Sequence, residues 1–463
     1  MTSIFGSLNI GRVALSVQQT AINVTGHNIA NVNTPGYTRQ RVNMVSTSVQ
    51  GYQNFAMGSG VAVDEIERIY DKFIQKQIST ENQELGYWEG MNNYLERVEI
   101  VFNEASGFGI SGAMDDFWNA WNDLTNNPSG YVERISLLSA GNTLTMTFNE
   151  NHDSLAQLQD YISSDMAANI ESINLKAGQI RELNQQILQT ETSGSSANDL
   201  KDRRDLLVND LAKMIDLKVS EDNNGNVNIY VGTGQPLVTG TDSWKLATTP
   251  NPASPNQDLV VWKSKDGSTI DITNNISGGK LKGMLDVRDN IISGYMDRMN
   301  DLAETIINRV NDLHASGDDL NGDPGGLFFS APDANAPAKY MSVAITNTDL
   351  IAAAASGGGV GDNTTALSMA KLQNSMTMGG TATFGNFYQS LMSEVGNSVQ
   401  YASNNLSNHT AMVDQLSNYR ESISGVSLDE EMVNLVKFQH AYSAAAKLIS
   451  VVDEMLDTLL RLA

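Results

Sequence analysis

LDEEMVNLVKFQHAYSAAAKLISVVDEMLDTLLRL, residues 428–462, repeats its apolar side chains every seven positions. Leu435, Tyr442, Ile449 and Leu456 fill one position of the repeat, and Phe438, Ala445, Val452 and Leu459 fill the other. That is the a/d seam of a helix that packs on another helix. Glu, Met, Ala, Lys and Leu throughout agree with it. Ser427 followed by Glu430 gives a capping-box start, and Gly425 breaks the preceding helical segment, 383–422. Burying a seam side chain fully is worth roughly 1.5–3 kcal/mol, so this stripe needs a cover. The cover is either another helix of the chain or a neighbouring subunit, and the two can coexist.

The other end of the chain offers a partner. Over residues 4–33, Leu8, Leu15, Ile22 and Ile29 are spaced by seven, but the second heptad position holds Ile4, Gly11, Gln18, Thr25 and Val32. The incomplete seam makes this helix the one expected to stay loose until assembly. Thr34-Pro35-Gly36 stops it, since proline lacks the donor and glycine allows the turn.

Between the ends the pattern is mixed. Residues 37–65 read as extended, 64–104 as helical from Ile66 and Ile69 onward, 112–127 as a short helix, and 131–190 and 197–217 as longer ones. From 218 to 280, VNIYVGTG and LVVWKSK alternate between turn-rich stretches, a β-rich insert. Helix resumes over 281–315 and ends at SGDDLNGDPGGLFF, 316–329. Residues 330–364 read as an irregular connection. The expected fold class is mainly α with a β-rich insert. The terminal helices, 1–36 plus 428–463, are expected to pack on a helical partner, a long-helix bundle takes 37–217, 281–329 and 365–427, and a small β domain takes 218–280.

The 463 residues carry 29 basic and 53 acidic side chains, a net charge of −24. No Lys/Arg run offsets this, which argues against nucleic-acid and acidic-membrane partners. No cysteine is present, so disulfides and thiolate chemistry are excluded. The N-terminus lacks a basic leader followed by an apolar run, so no cleavable signal peptide is expected. Five scattered histidines show no metal-ligand spacing. Asp319, Asn321 and Asp323 begin like a calcium loop, but Pro324 and Ser330 stand where glycine and glutamate are needed, so a turn built on Asx hydrogen bonds is expected instead. No nucleophile–base set, phosphate-binding glycine motif or cofactor motif is present, and the chain reads as a structural subunit and not an enzyme.

HNIANVNTPGYTRQRV at 27–42 and SGVSLDEEMVNLVKFQHAYSAAAKLISVVDEMLDTLL at 424–460 resemble the paired terminal motifs of the bacterial flagellar axial proteins, the rod, hook and hook-associated subunits. TRQ after Tyr37, the long SGVSLDEE form and the 316–329 segment are most similar to the hook-associated members. The resemblance implies an extracellular subunit, exported by the flagellar type III apparatus, that polymerises through its terminal helices at the junction of hook and filament. The implied partners are copies of itself in a ring-like segment, a hook protein, a second junction protein, and an export chaperone on the C-terminal region. It implies no cofactor. It implies that the terminal helices form a coiled-coil inner domain and that 218–280 is a small outer β domain. Many relatives carry a further outer domain after the position of Phe328-Phe329, where this chain has only residues 330–364. The candidate assembly residues are Asn28, Asn31, Asn33, Pro35, Gly36 and Tyr37 of the motif, with Leu8, Leu15, Ile22, Ile29, Leu435, Phe438, Tyr442, Ile449, Val452, Leu456 and Leu459 of the two seams. From local physics alone the asparagine-rich turn is either a plain helix stop or a binder of a neighbour's backbone, and the resemblance favours the second. A hook or distal-rod subunit and a secreted adhesin are the competing readings.

Overall fold

The computed structural model describes residues 2–47, 49–52, 55–58, 60–102, 109–222, 224–254 and 257–462, with the side chains of residues 2–4, 49–57 and 462 left out. The chain opens with helix α1 (Thr2–Ala30), followed by strands β1 (Gln40–Ser46), β2 (Val49–Tyr52), β3 (Phe55–Gly58) and β4 (Val61–Arg68). β1 pairs antiparallel with β4, and β2 with β3. Helices α2 (Lys72–Val101), α3 (Ile110–Asn126), α4 (Tyr131–Thr192) and α5 (Asn198–Met214) follow.

The helix expected from residue 64 begins only at Lys72, where Asp71 caps it by accepting from the N–H groups of Phe73 and Ile74. Residues 61–68 are strand. A bulge at Asp64 explains the misreading. Val61, Val63 and Ile66 pair with Ser46, Met44 and Val42, so all three share one face. The extra residue turns a two-residue step into a three-residue one, which mimics helical spacing.

The β-rich stretch comprises β5 (Lys218–Glu221), β6 (Val227–Val231), β7 (Gln235–Thr239) and β8 (Asp242–Ser243) in one antiparallel sheet. A second sheet holds β9 (Lys245–Thr249), β10 (Leu259–Lys263) and β11 (Thr269–Asp271). It does not close on a core of its own. Ile229, Leu237, Leu246, Val260 and Ile276 are buried in the same cluster as the helices. Two asparagines of α4 grip its backbone. Asn174 brackets Leu246, donating to its carbonyl at 2.9 Å and accepting from its N–H at 2.8 Å. Buried Asn184 donates to the carbonyls of Val227 and Gly240 and accepts from the Val227 N–H. Each pins a strand where a lost partner would orphan buried backbone groups.

Helix α6 (Gly279–Leu285) runs through a π-helical turn, 286–292, into α7 (Ser293–Ala315). The wide turn seats Arg288, 1% exposed, which donates to Ser163 and to the Asp258 carbonyl and pairs with Asp289. Beyond α7 lie β12 (Gly317–Asp318), β13 (Phe329–Ser330), α8 (Pro337–Tyr340), β14 (Ser342–Val343), β15 (Ala354–Ala355) and α9 (Thr364–Leu372). The chain ends with α10 (Phe384–Ser424) and α11 (Leu428–Leu462). The core runs along α4 and closes around the aromatic cluster of Phe117, Trp118, Trp121, Phe328, Phe329 and Phe384.

The 316–329 segment folds as the Asx turn expected of it: Asp319 Oδ1 accepts from the N–H groups of Asn321 at 2.7 Å and Asp323 at 3.1 Å. His314, fully buried, closes the region. Its Nε2 accepts from the Ala352 N–H at 2.9 Å, so Nδ1 carries the proton and donates to the Gly326 carbonyl at 2.6 Å. Only the neutral ring satisfies both, and burial holds its pKa below the ordinary histidine value. The unfolded ring gains its proton near pH 6.5, before the folded one does. This stability is therefore complete above about pH 6.5 and falls as pH drops below it, at no more than about 1.4 kcal/mol per pH unit. Urea melts from pH 7.5 to 5.5 are expected to show the decline, and His314→Gln, less stable at pH 7.5, is expected to lose its share of the slope.

Candidate assembly joint at the two termini

α1 and α11 pair along their length. The face of α1 that meets α11 is built from small residues. The buried positions of α1 are Gly11, Val17, Ala21, Thr25 and Asn28, not the leucine and isoleucine row. A Cβ built on Gly11 would lie 2.8 Å from Ile449 Cγ1, so the missing side chain is what lets the helices approach. Leu8, Leu15, Ile22 and Ile29 flank this face half-buried. On α11, Val452 is buried, Leu435, Phe438, Ile449 and Leu456 are half-buried, and Tyr442 and Leu459 are exposed. Met432, Val433, Val436, Leu448, Met455 and Leu460 of α11 also face solvent. One helix covers only part of what α11 offers.

At the end of α1 the asparagine-rich turn becomes a node. Thr34-Pro35-Gly36-Tyr37 forms a tight turn closed by the Tyr37 N–H on the Thr34 carbonyl, with Gly36 at φ 76° as that turn requires. The turn swings Tyr37 back over α1. Asn28 is 1% exposed and fully satisfied. Its Oδ1 accepts from the Tyr37 hydroxyl at 2.8 Å and the Gln40 N–H at 3.0 Å, and its Nδ2 donates to the Gln40 carbonyl at 2.9 Å and to Glu431 Oε2 at 3.0 Å. One side chain thus joins α1, the turn, β1 and the first turn of α11. His27 Nδ1 donates to the Tyr37 oxygen at 3.0 Å.

Asn31 is also used within the chain, donating to the His27 carbonyl and accepting from Thr34. Backbone binding by Asn28 therefore occurs, but the backbone is that of Gln40 in the same chain. Asn33 and Pro35 are exposed. The capping box at Ser427 is half formed. Ser427 Oγ accepts from the Glu430 N–H, while the Glu430 carboxylate turns to Arg39.

The next residues tie this node to the helical body. The Thr38 N–H donates to Asp202 Oδ2 at 2.9 Å and its hydroxyl to Oδ1. Arg68 bridges Asp202 at 2.7 Å and Asp205 at 3.0 Å. Asn198 donates to Gln40 Oε1 and to the Ile66 carbonyl. The Arg39 N–H donates to the Ser424 carbonyl at 2.8 Å. Burial first, then the carboxylates of Asp199, Asp202 and Glu431, raise the Tyr37 phenol so that it stays protonated and keeps donating. Asp202 and Asn198 escaped the sequence reading. They sit in NDLKDRRD, a charge run that resembles a solvated helix face, although Asp202 and Arg204 in it are buried.

Both ends of the chain, and its middle, match known family models. Residues 8–38 match the family model of the flagella basal body rod protein, and 419–462 that of the C-terminal region of flagellar basal body rod proteins. Residues 95–329 match the flagellar hook-associated protein helical domain. The flagellar hook-associated protein 1 of Bacillus subtilis is 31% identical over 99% of this chain and 98% of its own length. This chain belongs to the flagellar hook-associated protein 1 family. The Escherichia coli member is 26% identical across 98% of this chain and 99% of its own. The 543-residue span of that alignment exceeds this chain's 463, so the relative carries residues without a counterpart here.

In three dimensions, the flagellar hook junction protein of Burkholderia pseudomallei superposes with a TM-score of 0.69 at 18% identity, over 75% of this chain and all of that one. The mainly helical fold with small sheets and a long C-terminal helix is thus that of hook-associated protein 1. Members of the family are structural proteins of flagellum assembly and motility. No helix among the described residues is long and apolar enough to cross a membrane.

Proposed function

We propose that this chain is the structural subunit that joins hook to filament, polymerising through α1 and α11 into a ring-like segment. The observation that carries this is the apolar row of α11, from Met432 to Leu460, left open beside a face already paired with α1. A helix exposing so many large apolar residues calls for more partners than its own chain supplies. Copies of the same chain supply them symmetrically.

In this reading the α1–α11 pair forms an inner domain, the helices built on α4 form the body around it, and the β-rich stretch faces outward. Leu435, Phe438, Tyr442, Ile449, Leu456 and Leu459 serve both the partner helix and the neighbouring copies. Asn28, Asn31, Gly36 and Tyr37 set the angle at which the pair leaves the body, and Asn33 and Pro35 stand free for a neighbour. The hook protein lies on one side and the second junction protein on the other. The chain leaves the cell through the flagellar type III apparatus with a chaperone on its C-terminal region. The match of residues 95–329 to the hook-associated helical domain favours this over a rod subunit or an adhesin.

Expression in a Bacillus subtilis strain lacking its 31% identical relative tests the reading. Restored swimming is expected. Secretion of this chain with filament protein still shed into the medium would count against a junction role.

A further inference from the structure

The fold gathers basic residues that the sequence scatters. A cleft of about 700 Å³ opens between β4, α2, α5 and β5. Arg204 lies in its floor, 2% exposed, with Nη1 bonded to Asn184 Oδ1 and the Gly225 carbonyl.

The acids of the cleft are largely answered: Asp205 by Arg68, Glu221 by Lys72, Glu191 by Lys201. Glu65 stands exposed at the rim. Lys76 and Lys218 line the walls and, among the described residues, form no ion pair within 4.0 Å. The apolar side chains of Ile66, Val208 and Leu217 line the same cleft. The cleft thus presents free cations beside an apolar strip, on a chain whose net charge is −24.

We infer that this cleft receives an acidic segment of a second copy of the chain, its carboxylates meeting Lys76 and Lys218. The inference rests on the polymerisation proposed above. Every neighbouring copy carries a large excess of carboxylates, and assembly holds them at high effective concentration. Opposite charges steer them towards the ammonium groups of the cleft that have no close partner. Between ammonium and carboxylate the attraction strengthens as the cleft loses water.

Carbodiimide treatment of purified hook–filament assemblies tests this, since it joins a lysine directly to the carboxylate it touches. Peptides linking Lys76 or Lys218 to an Asp or Glu of this chain are expected in assemblies and not in dilute monomer. The Lys76→Gln/Lys218→Gln variant has no amine at either position and serves as the blank that assigns the linked peptides. The same links in the monomer, links only to another protein, or none at all, overturn the inference. A single Val436→Cys on α11, joined by a bismaleimide reagent, reports contact between copies independently. Copies joined through α11 with the lysines unlinked defeat the cleft alone. Copies joined at neither place defeat the polymerisation reading and this inference with it.

Discussion

Deleting residues 428–462 is expected to abolish swimming and release filament protein into the medium, while the rest of the chain stays folded. The division follows from where the core lies. The buried cluster extends from Met91 to Ala402 and includes no residue of α1 or α11. Loss of α11 uncovers Val17 and Ala21 of α1 and leaves Asn28 without Glu431. α1 alone cannot offset its ordering entropy. The body keeps its own contacts, so its thermal transition is expected within a few degrees of the full chain's, the shift a change near 1 kcal/mol produces in a large domain. Circular dichroism melts and immunoblots of culture medium check the two halves. Normal filaments on the truncated chain would sink the assembly reading, and a molten truncated chain would show that the body depends on its ends.

Replacing Asn28 by Leu is expected to cost the joint about 3–5 kcal/mol. Leucine has nearly the right size but fills none of four hydrogen bonds. It leaves Gln40 with both backbone groups unpartnered and Glu431, 3% exposed, as a buried carboxylate without its donor. Orphaned polar groups cost about 1–3 kcal/mol each, and a stranded charge more. The loss should stay local. Amides at 28–42 and 424–434 are expected to exchange faster by about two orders of magnitude or more, while those of α3 and α4 hold. Adding Glu431→Leu removes the stranded charge, so the double variant should be more stable than the sum of the two single changes predicts. Simple additivity would show that Asn28 and Glu431 do not act as a pair.

The heptads made α11 legible, because long range order along one helix is written in its own spacing. The partner face of α1 was not, since Gly11 and Thr25 look like gaps until a second helix shows that they permit approach. The start of α2 was misplaced because a bulge at Asp64 imitates helical periodicity. The β-rich stretch was visible in its alternation, but its shared core depends on Asn174 and Asn184, single polar residues inside a 62-residue helix. Asp202 and Arg68 lie 134 residues apart, and nothing local couples them. The basic cleft is the same case, drawn from elements distant in the chain. The sequence could report its total charge but not where folding collects it.

The chain passes between the terminal pair and the body twice, along 31–39 and again along 424–427. The Arg39 N–H on the Ser424 carbonyl holds the two crossings side by side. Mechanically these are two straps set close together. A rigid piece hung on two adjacent straps can rock about the line through them, but it cannot spin or slide without stretching one. Asn28 then acts as the catch that fixes the rocking angle, through the turn on one side and α11 on the other. A piece so hung has one compliant direction, set by where the straps sit.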